Sequence, residues 1–236
     1  MTIIIGVCLP LAVTLYDEIM RKISPSTYEN IVFYLGGQRP LALPSLTLLR
    51  EDNESFWQQI QSLREEAANN KEPMAEFLCQ FQQEFGAKGQ VTIITERADE
   101  VLQKSGCNNV VQLRGSLFRF ACTDSRCGLT PFADDGESGA TTHCPICSSS
   151  LRPTLLLKDE DIDGRVEWHA KRALKGCQLL VVLVSQMNDF IKSYVQLVQS
   201  VNGRTVLVTP KSLGLGVAAQ WGFSDERVGK LEELFA

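Results

Sequence analysis

The run LLVVLV at residues 179–184 is uniformly apolar, which is typical of a strand buried on both faces of a parallel sheet. The runs TIIIGV (2–7), VTIIT (91–95) and TVLVT (205–209) have the same character. Between and after the strands lie segments with apolar residues at helical spacing: NESFWQQIQSLREE (53–66), PMAEFLCQFQQEF (73–85), NDFIKSYVQLVQS (188–200) and SDERVGKLEELFA (224–236). This alternation of strands and helices predicts an α/β fold with a doubly wound parallel sheet.

Four of the eight cysteines are concentrated in CTDSRCGLTPFADDGESGATTHCPIC, residues 122–147. Two close pairs separated by a sixteen-residue loop suit tetrahedral zinc coordination by thiolates; two disulfides or idle thiols are the alternative. His143 is treated as a bystander, because four thiolates already complete a structural site. The predicted zinc ligands are Cys122, Cys127, Cys144 and Cys147.

The cysteine-rich segment interrupts the alternation of strands and helices. It is too short to build its own hydrophobic core, so a bound metal is expected to close it. We therefore predict a small inserted zinc-binding domain at residues 116–157. Residues 1–115 and 158–236 form the large domain, with a helical insert at about 25–85.

Four segments together resemble the sirtuins, the NAD-dependent lysine deacylases. They are VTIITERADEVLQKSG, VVQLRGSLFRFAC, CPIC and LRPTLLLKDE. The match runs from Thr95 to Gly106, then through Gly115, the four cysteines and Leu151-Arg152-Pro153 to Glu160. The resemblance implies that the large domain is Rossmann-like and that a cleft separates it from the small zinc domain.

The chain departs from the sirtuin pattern where that family binds NAD. The glycine-rich loop becomes GVCLPLAV, in which Gly6 remains, and several free amides are needed to cradle a phosphate. The Gln and Asn of the family's nicotinamide pocket become Glu96 and Arg97, Asp99 persists, and Ser185 lies where the family has Gly-Thr-Ser. These five positions are the candidate remnants of the cofactor site, and NAD is expected to bind weakly or not at all.

Arg114 occupies the position of the family's catalytic histidine. A guanidinium cannot accept a proton near neutral pH, and neither His143 nor His169 stands where the base is needed. The sequence therefore favours a non-catalytic, sirtuin-like protein that binds other protein subunits. The alternative is an NAD-dependent protein-lysine deacylase, or another nucleotide-binding enzyme, with an atypical active site.

Composition restricts the remaining classes of function. A net charge of −5 and a pI near 5.2 disfavour a zinc-ribbon protein that reads nucleic acid. The apolar runs fall short of the roughly 20 residues that span a bilayer, and no basic region precedes TIIIGVCLPLAV as it would in a signal peptide. We expect an intracellular protein without a membrane partner.

Overall fold

The computed structural model describes residues 27–36, 43–69, 73–86, 89–133, 143–184, 187–209, 217–223 and 225–228. Its strands are β1 (Asn30–Leu35), β2 (Gln90–Thr95), β3 (Val110–Gln112), β4 (Arg119–Cys122), β5 (Phe132–Ala133), β6 (Leu151–Pro153), β7 (Leu179–Leu183), β8 (Arg204–Thr209) and β9 (Asp225–Val228). Its helices are α1 (Leu46–Glu51), α2 (Asn53–Asn69), α3 (Pro73–Phe85), α4 (Val101–Lys104), α5 (Gly164–Lys175), α6 (Asp189–Ser200) and α7 (Val217–Gln220).

The larger sheet has the strand order β3-β2-β1-β7-β8-β9, and all of its pairings are parallel. From β1 the chain moves outward through β2 to β3, and from β7 it moves outward in the other direction to β9. The strand order therefore reverses between β1 and β7, which is the topological switch point of a doubly wound sheet. The predicted Rossmann-like fold is confirmed.

Helices cover both faces of this sheet because successive residues of a strand point to opposite sides. In β1, Ile31 and Phe33 pack on one side with the apolar stripe of α3, while Val32 and Tyr34 pack on the other side with α5 and α6. The strand interiors are almost entirely buried, which explains their continuous apolar sequences.

The smaller sheet is antiparallel, with the order β5-β4-β6, and lies within residues 116–157. Helices α1 and α2 contribute Leu49, Phe56 and Ile60 to a third apolar cluster, which they share with Leu155 and Leu157 after β6. This cluster holds the smaller sheet against the helices. The proposed domain boundaries themselves stay a prediction.

Two predicted helical segments contain strands. The supposed helical insert at about 25–85 begins with β1, because the run IVFYL is apolar on every residue and is buried between β2 and β7. Residues Asp225–Val228 pair in parallel with β8 as an edge strand, so pairing to the sheet outweighs their helical spacing. The predicted strand at 2–7 lies outside the described residues.

Within the described part of the chain, every helix is too short or too polar to traverse a lipid bilayer.

Candidate active site

A cleft with a volume of about 1300 Å³ lies between the carboxyl end of β3, helix α1 and the smaller sheet. Its walls carry several charged side chains, among them Arg50, Arg114, Arg152, Glu160 and Asp161. Crevices at the carboxyl ends of parallel strands are where open α/β sheets bind their ligands. A cleft is therefore present between the two sheets, and charged side chains stand in a wall that is otherwise largely apolar.

Arg114 and Glu96 form an ion pair beside this cleft. They follow the neighbouring parallel strands β3 and β2, so both side chains emerge at the same edge of the sheet. Arg114 Nε and Nη2 donate to Glu96 Oε2 at 3.3 and 3.1 Å. The Glu96 side chain is only 10% exposed, whereas that of Arg114 is 35% exposed and lines the cleft.

Two further donors hold the other oxygen of Glu96. The hydroxyl of Tyr34, at the end of β1, donates to Oε1, and Asn188 Nδ2 donates to the same atom at 2.7 Å. Asn188 also caps α6, since its Oδ1 accepts from the Ile191 N–H at 3.0 Å. Burial, and then the charge of Glu96, raises the pKa of Tyr34 well above its usual value. The strand ends of β1, β2, β3 and β7 thus meet in one hydrogen-bonded network.

The turn after Arg114 depends on Gly115. Its φ is +65°, and a Cβ at this position would lie 2.0 Å from the Thr154 carbonyl oxygen. The flanking backbone is fixed as well: the Leu156 N–H donates to the Arg114 carbonyl at 2.9 Å, and the Ser116 N–H donates to Thr154 Oγ1 at 3.1 Å. Only glycine allows this close approach, which orients Arg114 toward the cleft.

Arg97 and Asp99 form a second ion pair, apart from the one at Arg114. Both side chains are nearly buried, and neither residue lines the cleft. Asp99 Oδ1 also accepts from the Val101 N–H at 3.3 Å at the start of α4. Of the four charged residues that the sequence singled out, the structure brings Glu96 to Arg114 and pairs Arg97 with Asp99.

Arg152 connects the smaller sheet to the segment that enters the large domain. Its Nη2 donates to Glu160 Oε2 at 2.6 Å and to the Leu155 carbonyl at 2.9 Å. Burial acts to raise the pKa of Glu160, but the hydrogen bonds from Arg152 and the Leu157 N–H, with the charge of Arg152, outweigh it and lower that pKa. Arg152 and Glu160, which both lie in the segment that resembles the sirtuins, are therefore joined by an ion pair in the structure.

The four predicted metal ligands converge. Their sulfur atoms all lie within 4.8 Å of one another, with Cys122 to Cys147 at 3.4 Å and Cys127 to Cys144 at 3.6 Å. Backbone N–H groups two residues on point at the sulfurs of Cys122 and Cys144, at 3.3 and 3.4 Å. None of the four is in a disulfide. The cluster could therefore hold a metal ion.

Two predicted cofactor positions, Gly6 and Ser185, lie outside the described residues. The central strand that the structure does describe is β1, and it is followed by Gly36, where a Cβ would lie 2.7 Å from Val184 Cγ1. Sequence reasoning missed Tyr34 and Asn188. Two sequence signals could have found them. The apolar run that contains Tyr34 ends in two glycines, which is typical of a buried strand, and Asn188 directly precedes an amphipathic helix, which is typical of a cap.

Comparison with known proteins finds relatives of this chain in both sequence and fold. The Sir2 family matches residues 38–188, well over half of the chain. An NAD-dependent protein deacylase of Vibrio parahaemolyticus is 29% identical over 44% of this chain and 42% of its own. An NAD-dependent protein deacetylase of Staphylococcus epidermidis is 24% identical over 73% of this chain and 63% of its own. The matches thus span roughly half of the relatives' length.

A solved structure of Sir2 with a p53 peptide and NAD+ superposes with a TM-score of 0.69. It covers 92% of this chain and 94% of its own, at 14% identity. At that identity the likeness concerns the fold alone.

These relatives overturn the expectation of a non-catalytic protein. They are named as NAD-dependent deacylases and deacetylases, which favours the enzymatic alternative over the pseudoenzyme. The prediction was wrong because it inferred the loss of activity from single positions, Arg114 above all. The expectation that NAD binds weakly or not at all conflicts with the same names.

Proposed function

Because the chain belongs to the Sir2 family, we propose that it is an NAD-dependent enzyme that removes acyl groups from protein lysine side chains. The observation that carries the proposal is the cleft, which opens at the carboxyl edge of a doubly wound sheet and is bounded by a cysteine-rich module. An extended acyl-lysine peptide and a nucleotide can approach each other in such a crevice. The predicted protein partner would then be the acylated substrate.

Polar side chains of the described residues collect at the switch point, beside the cleft. Tyr34 lies near the end of β1, Glu96 follows β2, and Asn188 lies in the segment between β7 and α6, so these polar groups meet where the strand order reverses. When bound, NAD supplies the ribose that receives the acyl group. The chain's own contribution is to place this polar edge against the acyl-lysine side of the cleft.

Arg114 limits how the reaction proceeds. In the resembling enzymes the residue at its position removes a proton from a ribose hydroxyl, which a guanidinium cannot do. Glu96 is not a ready substitute, because its two oxygens already accept four hydrogen bonds, about the capacity of a carboxylate. We therefore propose slow turnover, limited by the proton-transfer step.

The test measures two products separately. Wild-type protein is incubated with NAD and an acetyl-lysine peptide, and nicotinamide and deacetylated peptide are quantified by mass spectrometry. We expect peptide-dependent nicotinamide release in the wild type. Arg114→His should speed formation of the deacetylated peptide by up to about 10²–10⁴-fold, the usual contribution of a general base.

The control is Arg126→His, which adds an imidazole at a side chain that is 90% exposed and does not line the cleft. It should behave as the wild type. Nicotinamide release at the level of the protein-free blank in the wild type and in Arg114→His would refute the proposed reaction.

We also propose that the four cysteines bind one structural zinc ion. Four sulfurs about 2.3 Å from a tetrahedral zinc ion lie about 3.8 Å apart, close to the 3.4 and 3.6 Å between the paired sulfurs. A set of four thiolates with no open position is typical of structural zinc. The ion would stabilise the smaller sheet rather than take part in the reaction.

A further inference from the structure

Arg114 is held on one side and open on the other. Its Nε and Nη2 donate to Glu96 at 3.3 and 3.1 Å, yet 35% of its side chain remains exposed in the wall of the cleft. Among the described residues, none accepts a hydrogen bond from its Nη1. The guanidinium therefore presents unused donors to the cleft.

Arg152 in the same wall is different. Its Nη1 and Nη2 bind Glu160, and its Nε and Nη2 bind the carbonyl oxygens of Pro153 and Leu155. Its side chain is 14% exposed. All three guanidinium nitrogens of Arg152 donate hydrogen bonds within the protein, whereas Arg114 donates from Nε and Nη2 alone among the described residues.

Glu96 acts as a fixed anchor for Arg114. Tyr34 and Asn188 hold one carboxylate oxygen and Arg114 holds the other, so the carboxylate is restrained from the β1 and β7 sides. The anchor leaves the guanidinium oriented before any ligand binds, which reduces the entropy lost on binding.

We propose that Arg114 is an anion-binding residue of the cleft, which recognises a carboxylate or phosphate group on the ligand. The planar guanidinium fork matches both groups. The inference deepens the proposed function, on which the choice of probes rests.

The test is calorimetric binding to two pairs of probes that differ in an anionic group. One pair is ADP and adenosine, and the other is a succinyl-lysine peptide and the same peptide with acetyl-lysine. We expect the wild type to prefer the anionic member of at least one pair. Arg114→Gln should reduce that preference about 10- to 100-fold, the range for hydrogen bonds to charged groups.

Two variants sharpen the result. Arg114→Lys keeps the charge but lacks the fork, so it should lose most of the preference. Arg126→Gln removes one positive charge outside the cleft and should retain the preference. Because the preference is a ratio within one protein preparation, a partly unfolded variant does not change it.

The pair that loses its preference identifies the source of the anion, phosphate for the nucleotide pair and carboxylate for the peptide pair. The proposal is overturned if the wild type prefers neither anionic probe, or if Arg114→Gln prefers them as strongly as the wild type. The experiment measures binding and not turnover. Anion binding by Arg114 can therefore be found where no deacylation occurs, and deacylation can occur where Arg114 binds no anion.

Discussion

Replacement of Gly115 by alanine should destabilise the protein strongly. Gly115 has a φ of +65°, and an added Cβ would meet the Thr154 carbonyl oxygen at 2.0 Å and its carbonyl carbon at 2.7 Å. Left-handed backbone costs an L-residue about 1–2 kcal/mol, and the shift needed to relieve overpacking costs about 1–3 kcal/mol. We expect Gly115→Ala to lower the free energy of unfolding by about 2–5 kcal/mol.

The assay is urea unfolding followed by circular dichroism, with the midpoint and slope compared between variants. Gly128→Ala is the matched control, because among the described residues no heavy atom lies within 4 Å of the position that a Cβ would take there. That variant should stay within about 0.5 kcal/mol of the wild type. A Gly115→Ala protein as stable as the control would refute the close contact between the Arg114 turn and Thr154, and with it the argument that this turn orients Arg114.

Three other outcomes are expected. Tyr34→Phe removes a donor from a buried carboxylate and should lower the free energy of unfolding by about 1–3 kcal/mol. Tyr194→Phe should leave the free energy of unfolding unchanged, because the buried hydroxyl of Tyr194 has no hydrogen-bond partner among the described residues. Equal losses of stability in the two variants would contradict this prediction. Glu160→Gln should be less stable than the wild type at neutral pH. The folded state lowers the pKa of Glu160 from 4.5, so the stability that its carboxylate contributes is present above pH 4.5. The difference in unfolding free energy between the two proteins should disappear as the pH falls through the pKa of the folded state. Cys144→Ser should lose the metal, measured by elemental analysis, and expose the amides of residues 116–157 to hydrogen exchange, because structural zinc contributes about 10–16 kcal/mol in isolated fingers. His143→Ala should keep one zinc ion per chain. Loss of zinc from His143→Ala would refute an all-cysteine site.

The metal cluster was predictable because its geometry is local. Two short pairs of cysteines each turn within a few residues, and the amide groups that point at Cys122 and Cys144 belong to the same turns. Only the approach of the two pairs needs the chain to fold. The spacing alone therefore identified all four residues of the cluster.

The polar network was not predictable because its members are distant in the chain. Glu96 and Arg114 are eighteen residues apart, while Tyr34 and Asn188 lie 62 and 92 residues from Glu96. The rule that parallel strands end at one edge could have brought Glu96 and Arg114 together. It does not reach Tyr34, because the sequence pattern predicts a helical insert over the segment that contains β1.

By itself, the sequence determined the fold class, because strands buried on both faces need continuous apolar residues and the helices beside them need one apolar stripe. It also determined the family resemblance and the four-cysteine cluster. Only the tertiary structure decided which apolar run lies at the centre of the sheet, since IVFYL at 31–35 owes its place to pairing with β2 and β7. It likewise decided that Arg114 is anchored by Glu96 and open to the cleft, because hydrogen bonds between the ends of four strands exist only after the sheet has assembled.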